Sequence, residues 1–314
     1  MLGAAARRVL EGQDGVVTTA QLLTWHVSPG QIARRVDEGR WQRVHRGVLL
    51  LHSGPRSWRE QARGALLYAG AGAALSHSSA GYLHRLTPRP GPVVEVSVPG
   101  RSVRPTAGVA IHRRRTMPFA SGRLRVVGED ATVADLLSCA PDVDAAVAVI
   151  GAAMLRGLLP DRILAEAEHR GRMRHRALVR ELLGPGAETI ESPLEYRYAR
   201  DVERAHRLPR GATQVRQLVG GRWIRADRVY TGVRVELDGQ LAHPHGRNDD
   251  DVWRDNAVVL AHREVTLRYR WHHVAATPCA AAAQVAHALR ACGWSGSPRP
   301  CGSSCELARN RQAS

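Results

Sequence analysis

Lysine is absent from this sequence, and phenylalanine occurs only once among its 314 residues. All 45 basic residues are therefore arginines. This indicates a compositional bias over the whole chain, so no single arginine is notable for its type alone. Aromatic residues make up only 4%, which argues against single-stranded nucleic-acid binding, because that mode relies on base stacking. The formal net charge of +16 still favours a polyanionic partner, with nucleic acid as the first candidate.

Long apolar runs are also missing. No segment approaches the ~20 apolar residues of a membrane helix. The first residues, MLGAAARRVLEGQDG, lack the apolar core and cleavage site of a secretory signal peptide. The sequence contains only five cysteines, an odd number. This indicates a reducing compartment rather than a set of disulfides. We therefore expect a cytoplasmic protein without membrane contact, and the length allows two or three domains.

Residues 1–52 have the pattern of a small DNA-binding domain. A predicted helix capped near Thr18 is followed by a break at Ser28-Pro29-Gly30 and by a second helix over Gln31 to Glu38. The second helix carries arginines on one face, and the run WQRVHRGVLLL after it alternates like a strand pair. Helix, tight turn, basic helix and hairpin predict a winged helix-turn-helix. A small helical subdomain with a basic face stays open as the alternative.

The same segment resembles the N-terminal domain of abortive-infection antitoxins of type IV toxin–antitoxin systems (AbiEi-like). The resemblance rests on Gly15-Val16-Val17-Thr18, on the basic helix that ends at Gly39, and on Arg46-Gly47-Val48. It implies binding to double-stranded operator DNA, with a nucleotidyltransferase-like toxin as a further partner. The implied DNA-binding positions are Arg34, Arg35, Arg40 and Arg43, and Arg46 completes the basic cluster.

Residues 53–185 read as a mixed α/β middle domain without an assigned chemistry. Short strands between Pro and Gly breaks are followed by three helices. The run SHSSAGYLHRL resembles the central domain of the same antitoxin-like proteins. Its Ser76, His77 and Ser78 are residue types found in nucleophilic catalysis. Because no acid is placed beside the Ser/His pair in the sequence, a capped helix start is the favoured interpretation. Asp135 is expected to be a hydrogen-bonding residue at the edge of the core rather than a catalytic acid.

In the last third of the chain, the run Ile224 to Gly239 predicts a β-hairpin. Its register places Asp227 opposite Glu236, with Asp238 on the same face as Glu236. Directly opposed like charges destabilise a strand pair unless something offsets them. A divalent cation with carboxylate ligands is one such offset. A solvated hairpin face on which Arg225 screens the acids is the alternative.

The predicted C-terminal domain, residues 186–294, resembles the PD-(D/E)XK nuclease superfamily. It is most similar to the branch of very-short-patch-repair endonucleases and their uncharacterised relatives (domain of unknown function 559). The resemblance rests on the α+β element order, a Ser-x-Leu-Glu helix start and the run Val235 to Gly239. It implies a restriction-endonuclease-like domain, so that the whole chain is an α/β multidomain protein. The implied catalytic residues are Glu195, Asp227, Glu236, Asp238 and His243, and Mg²⁺ or Mn²⁺ would bind Asp227, Glu236 and Asp238.

One departure from the superfamily leaves the activity open. The usual Glu-x-Lys is here Glu236-Leu237-Asp238, and no lysine elsewhere replaces the missing one. Since that lysine normally orients or activates the attacking water, His243, Arg254 or a second metal ion would have to do so. Two functions follow. The chain is either a metal-dependent DNA endonuclease guided by its N-terminal domain, or a transcriptional regulator or antitoxin whose nuclease-fold domain is inactive.

Residues 295–314 are predicted to form a flexible tail that contains cysteines. Cys301-Gly-Ser-Ser-Cys305 has a spacing found at zinc sites. Cys279 would be a third ligand, and Cys292 is a candidate for the fourth. Because the spacing of these two cysteines is not diagnostic, a tail with free thiols stays open as the alternative.

Overall fold

The computed structural model describes residues 3–185, 190–219, 221–238, 256 and 259–308, with the backbone alone at positions 222 and 238. The chain forms two compact units, Met1–Gly184 and Pro185–Ser314. His243 and Arg254 lie outside the described residues. Of the helices that are described, none combines the length and the apolar character needed to cross a lipid bilayer.

The first unit begins with a three-stranded antiparallel sheet and the helices around it. Thr18 and Ser28 each form a capping box with a glutamine three residues later, as the predicted helix starts require. Leu22, Ile32 and Leu49 meet in the core of this segment. The elements are α1 (Ala4–Gly12), β1 (Val16–Thr18), α2 (Thr19–Thr24), α3 (Pro29–Asp37), β2 (Gln42–His45) and β3 (Val48–Leu50), with strand order β1-β3-β2.

The same unit continues with a five-stranded mixed sheet of order β6-β5-β4-β8-β7. Its strands are β4 (Ala74–Leu75), β5 (Val94–Pro99), β6 (Val109–Arg114), β7 (Ala120–Ser121) and β8 (Val126–Val127). Its helices are α4 (Trp58–Ala69), α5 (His77–Leu83), α6 (Glu129–Cys139), α7 (Val143–Leu155), α8 (Pro160–His169) and α9 (Arg176–Leu183). The sequence pattern misses β4, β7 and β8, because strands of two residues are too short to show a periodicity.

Helix α4 joins the N-terminal sheet to the rest of the first unit. Gly64 lies so close to Val44 of β2 that an added Cβ atom would be 2.7 Å from its Cγ1 atom, a contact that only glycine avoids. The carboxylate of Asp14 accepts hydrogen bonds from Arg59 at 2.7 Å and from Arg63 at 3.0 Å. Burial alone would raise the pKa of Asp14, but these two guanidinium groups lower it. The predicted boundary after residue 52 therefore lies within one compact unit.

The second unit is built on a four-stranded sheet of order β12-β11-β10-β9, in which β11 and β12 are parallel and the other pairs antiparallel. Tyr198, Val235 and Val285 belong to its core. The elements are α10 (Pro193–Arg197), which continues as a π-helix (Tyr198–Arg204), then β9 (Ala212–Val219), β10 (Arg222–Tyr230), β11 (Val233–Asp238), β12 (Val265–Arg270), α11 (Trp271–Ala275) and α12 (Pro278–Ala291). Both units thus mix helices and strands, as predicted.

The β10–β11 hairpin has the predicted register, because its residue pairs run from Tyr230–Val233 to Arg228–Val235. Val233, Val235 and Leu237 alternate along β11 and pack into the core. The opposite face of β11 therefore carries Glu236, as the sequence pattern requires.

Residues 295–308, part of the predicted flexible tail, lie against the second unit. Cys305 is 2% exposed, and Leu307 packs on the same core as Tyr198 and Val285. A backbone hydrogen bond of 2.8 Å runs from the N–H of Arg299 to the carbonyl oxygen of His206. These apolar and backbone contacts fix the segment on the core.

Candidate functional site

The arginines predicted to face DNA lie on α3 and on the segment that follows it. Arg34 and Arg35 are in the last turn of α3. Arg43 is on β2, and Arg46 is in the turn between β2 and β3. Arg35 is half-buried, while Arg34, Arg40, Arg43 and Arg46 are exposed. One short stretch of chain therefore presents these cationic groups to solvent.

Three of these arginines have side-chain contacts within the same stretch. The carboxylate of Glu38 is 3.7 Å from Nε of Arg34 and 3.2 Å from Nε of Arg40. The guanidinium group of Arg35 lies over the indole ring of Trp41, 5.5 Å from its centroid. Exposed ion pairs of this kind contribute about 1 kcal/mol or less, so a phosphate group can displace Glu38 at little cost. No carboxylate in the described ranges is within 4.0 Å of Arg43 or Arg46.

Glu195, the first of the predicted catalytic acids, is buried at 8% exposure. Its carboxylate accepts the backbone N–H of Glu191 at 3.1 Å and the hydroxyl group of Ser192 at 2.9 Å. The side-chain amide of Gln214 donates a third bond at 2.9 Å. The predicted Ser-x-Leu-Glu start is therefore a helix cap in which Ser192 and Glu195 serve each other.

Asp227 and Glu236 are neighbours on the hairpin. The Oδ2 atom of Asp227 accepts the backbone N–H of Leu237 at 2.7 Å. The pKa of Glu236 is raised, first by burial and also by the negative charge of Asp227, while the positive charge of Arg234 opposes the shift. The like-charge repulsion that the hairpin register predicts therefore acts on Glu236.

A buried arginine neutralises Glu236. The side chain of Arg234 is 2% exposed, and its Nε atom is 2.5 Å from Oε1 of Glu236. Its Nη1 atom donates to the side-chain oxygen of Gln217 at 2.5 Å. Arg225, predicted to screen the hairpin acids, instead forms two parallel hydrogen bonds to Glu191 at 3.0 and 2.8 Å. That paired geometry matches a planar guanidinium group to a carboxylate, which explains the change of partner.

Two groups of potential metal ligands have their donor atoms within 4.8 Å of one another in the described part of the chain. They are His206, Cys279, Cys301 and Cys305, and His77, Glu95 and His112. Glu195, Asp227 and Glu236 do not form such a group among the residues searched. The side chain of Asp238 and all of His243 lie outside the described residues. The Mg²⁺ or Mn²⁺ site therefore stays a prediction.

The Cys/His group contains the three cysteines predicted for zinc, but its fourth member is a histidine. Sγ of Cys279 is 3.6 Å from Sγ of Cys301, and Sγ of Cys305 is 3.6 Å from Nε2 of His206. Burial alone would raise the pKa of Cys305, but backbone hydrogen bonds at Cys301 and Leu307 lower it to about 6. The pKa of the neighbouring Cys279 is raised instead, first by burial, so that within this group the thiolate form is favoured at Cys305.

Cys292, the predicted candidate for the fourth position, lies elsewhere. Its thiol donates to the carbonyl oxygen of Gly232 at 3.4 Å. That contact holds it against the hairpin turn, where a Cβ atom on Gly232 would come within 2.9 Å of its sulfur. No sequence signal marks His206 as a ligand, because it is 99 positions from Cys305 in the chain.

The second group lies in the middle of the first unit. The rings of His77 and His112 stack with their centroids 3.6 Å apart. Nε2 of His112 is 3.1 Å from Oε1 of Glu95. Glu95 also accepts the backbone N–H of Ser78 at 2.8 Å and the Ser78 hydroxyl group. Burial alone would raise the pKa of Glu95, but the hydrogen bonds from His112 and Ser78 lower it to about 2.

Asp135 borders this group from helix α6. It is 1% exposed, accepts hydrogen bonds from Arg114 and from Arg170 (2.6 Å), and lies 3.7 Å from Nδ1 of His77. These bonds confirm the predicted hydrogen-bonding role of Asp135. Burial lowers the pKa of His77 to about 4, so its ring is neutral at pH 7.

The SHSSAG run is only in part the capped helix start that the sequence predicts. Helix α5 does begin after Ser76, but the Ser76 hydroxyl makes no cap bond and lies 3.0 Å from Nδ1 of His77. The expectation that no acid accompanies this Ser/His pair is wrong, because Asp135 and Glu95 both lie close to His77. Strand β5 brings Glu95 and helix α6 brings Asp135 to this histidine, from positions that its sequence neighbourhood does not reveal.

Comparison with known proteins bears on the N-terminal segment. Residues 5–52 match the family described as "Transcriptional regulator, AbiEi antitoxin". No curated protein matches the chain. The matched range begins inside α1, continues through β3 and includes the five arginines predicted to contact DNA. The resemblance to AbiEi antitoxins is therefore confirmed for this part of the chain.

Proposed function

We propose that the protein is a DNA-binding transcriptional regulator or antitoxin that contacts duplex DNA through residues 1–52. The observation that carries the proposal is the match of residues 5–52 to a regulator family, on a segment with exposed arginines. In this proposal α2 and α3 form the helix-turn-helix, α3 is the recognition helix, and the β2–β3 hairpin is the wing. The resemblance to AbiEi antitoxins implies a nucleotidyltransferase-like toxin, which is therefore the proposed protein partner.

Phosphate contacts by the arginine cluster supply most of the binding free energy in this proposal. Each neutralised phosphate releases condensed counter-ions, which adds about 0.9 to the slope of log affinity against log salt concentration. Arg43 and Arg46 are suited to this role, since both are exposed and no described carboxylate is close enough to compete for them.

The test is the salt dependence of duplex binding by the full-length protein, measured by fluorescence anisotropy. We expect the double variant Arg43→Ala/Arg46→Ala to bind more weakly, with a salt slope shallower by about two units. The matched control is Arg156→Ala/Arg172→Ala, which removes two exposed charges elsewhere in the first unit. If both double variants changed the slope equally, the effect would be one of net charge and the proposed surface would be wrong.

A second function, metal-dependent DNA cleavage by the C-terminal unit, is favoured by one observation. The pKa of Glu236 is raised, first by burial and in addition by the charge of Asp227, and carboxylates that share a cation site are expected to repel each other in this way. A divalent ion bound there would compete with Arg234, which already forms a buried ion pair with Glu236. For this reason we place DNA binding before cleavage.

A further inference from the structure

We propose that His206, Cys279, Cys301 and Cys305 bind one zinc ion in a closed structural site of the second unit. This site is independent of DNA binding and cleavage, because the four donor atoms and their surroundings are sufficient to form it. Cys301 and Cys305 come from the C-terminal segment, Cys279 from the first turn of α12, and His206 from the end of the helical stretch that follows α10.

The distances within the group are those of a tetrahedral zinc site. With Zn–S near 2.3 Å and Zn–N near 2.0–2.1 Å, tetrahedral angles put two sulfurs about 3.8 Å apart and a sulfur and a nitrogen about 3.5 Å apart. The observed Cys279–Cys301 sulfur separation is 3.6 Å, and the Cys305–His206 separation is also 3.6 Å. A disulfide between Cys279 and Cys301 would need a separation of about 2.05 Å.

The orientation of His206 fits a metal ligand. Its Nδ1 atom is 3.1 Å from the carbonyl oxygen of Val202, so Nδ1 carries the proton and donates this bond. The other ring nitrogen, Nε2, then has its lone pair available as a ligand and lies 3.6 Å from Sγ of Cys305. A backbone carbonyl that holds the far side of a histidine ring is the usual support of a zinc ligand.

The donor set indicates both the metal and the type of site. Three thiolates and one imidazole favour zinc over hard ions such as Mg²⁺ or Ca²⁺. His206 is 0% exposed and Cys305 is 2% exposed, while Cys279 is half-buried and Cys301 is exposed. Because four protein groups complete the tetrahedron, no position remains for a reacting water molecule, so the site is structural rather than catalytic.

Zinc would fasten the C-terminal segment to two helices of the second unit. Cys301 and Cys305 are separated by a tight turn, in which the N–H of Cys305 donates to the carbonyl oxygen of Gly302 at 3.2 Å. The neighbouring Arg299 N–H bonds to the backbone of His206, and Leu307 packs on the core. The ion therefore replaces the covalent crosslink that thiols cannot maintain in a reducing compartment.

The experiment is metal analysis of the full-length, tag-free protein, purified under reducing conditions and measured by inductively coupled plasma mass spectrometry. We expect about one equivalent of zinc in the wild type and in Cys292→Ser, and only a small fraction of that in Cys305→Ser and His206→Ala. Cys292 is the matched control, since it lies in the same unit but contacts Gly232 instead of the cluster. Zinc content that is low in the wild type, or that falls equally in Cys292→Ser, overturns the proposal.

A second measurement keeps the test decisive if the ligand variants do not fold. Co²⁺ is added to wild-type protein after removal of its metal, and the absorption spectrum is recorded. Intense visible bands with sulfur-to-cobalt charge transfer, abolished by one equivalent of zinc, support tetrahedral thiolate coordination. A weak octahedral spectrum, or a Cys279–Cys301 disulfide found by peptide mass spectrometry under reducing conditions, would exclude the site.

Discussion

Arg234 and Glu236 lie two residues apart on β11, and Nε of Arg234 is 2.5 Å from Oε1 of Glu236. Residues at this spacing share one face of a strand. Their side chains are 2% and 16% exposed, so the pair is largely shielded from water. Glu236, which the nuclease resemblance assigns to a metal ion, thus has a counter-charge supplied by its own strand.

We expect Arg234→Met to destabilise the second unit by about 3–5 kcal/mol at pH 7, because Glu236 is then left buried without its counter-charge. Without the arginine, the raised pKa of Glu236 rises further. The loss should therefore shrink as the pH falls and the carboxyl group becomes protonated. Hydrogen exchange of β10 and β11 peptides in urea measures the opening free energy of this unit by itself.

The matched control for this variant is Arg225→Met. Arg225 also pairs with a glutamate, Glu191, but its side chain is 52% exposed. We expect the opening free energy of the second unit to change by about 1 kcal/mol or less, since exposed ion pairs contribute little to stability. Equal losses of stability in the two variants would show that burial does not make the Arg234–Glu236 pair more important than an exposed ion pair.

Asp227→Asn separates the two proposed functions. Asparagine keeps an oxygen that can accept the Leu237 N–H, so the variant removes the charge with little change of geometry. We expect Mn²⁺ to leave the melting temperature of the wild type and of Asp227→Asn unchanged, and neither protein to nick a plasmid. Duplex binding should be the same in both. A Mn²⁺-dependent stabilisation and nicking activity that Asp227→Asn abolishes would instead establish the nuclease function.

Local signals in the sequence predict much of the fold. Ser28 and Pro29 fix the start of α3 because a cap and a proline at the first helical position act within one turn. The alternation of Val233, Val235 and Leu237 is sufficient for the hairpin register, since a shift by one residue would expose all three. Such features can be predicted because they depend only on residues that are close in the sequence.

The composition of the sites could not be predicted in the same way. Glu95 and His112 reach His77 only through the packing of β5 and β6 against α5, and His206 joins the cysteines across two helices. The burial of Arg234 is also a tertiary effect, because an arginine at an outward position of a strand is normally exposed. The spacing of Cys301 and Cys305 was the one local signal for the Cys/His group, and it does not specify the remaining ligands.

The stability of the first unit depends on pH because of the cluster of His77, Glu95 and His112. Burial lowers the pKa of His77 from its ordinary value of 6.5 to about 4. The unfolded chain therefore binds a proton at this residue below pH 6.5, while the folded protein does not until about pH 4. Stability is lost as the pH falls through this window, by about 3 kcal/mol in total. Glu95, with its pKa lowered from 4.5 to about 2, adds a loss only below pH 4.5.

Between pH 6.5 and 4.5, His77→Asn should therefore flatten the dependence of stability on pH by up to about 1.4 kcal/mol per pH unit. Asparagine is the suitable substitute because His77 has a φ of +49°, a left-handed conformation that asparagine tolerates.

His45 also has a lowered pKa, caused first by burial, so part of the slope should remain in the variant. His169→Gln, at an exposed histidine of the same unit, serves as the control and should keep the wild-type slope. The measurement is hydrogen exchange of α5 and β5 peptides in urea, at several pH values between 7 and 4.5. A slope in His77→Asn equal to that of His169→Gln would mean that folding does not lower the pKa of His77, and the prediction would be wrong.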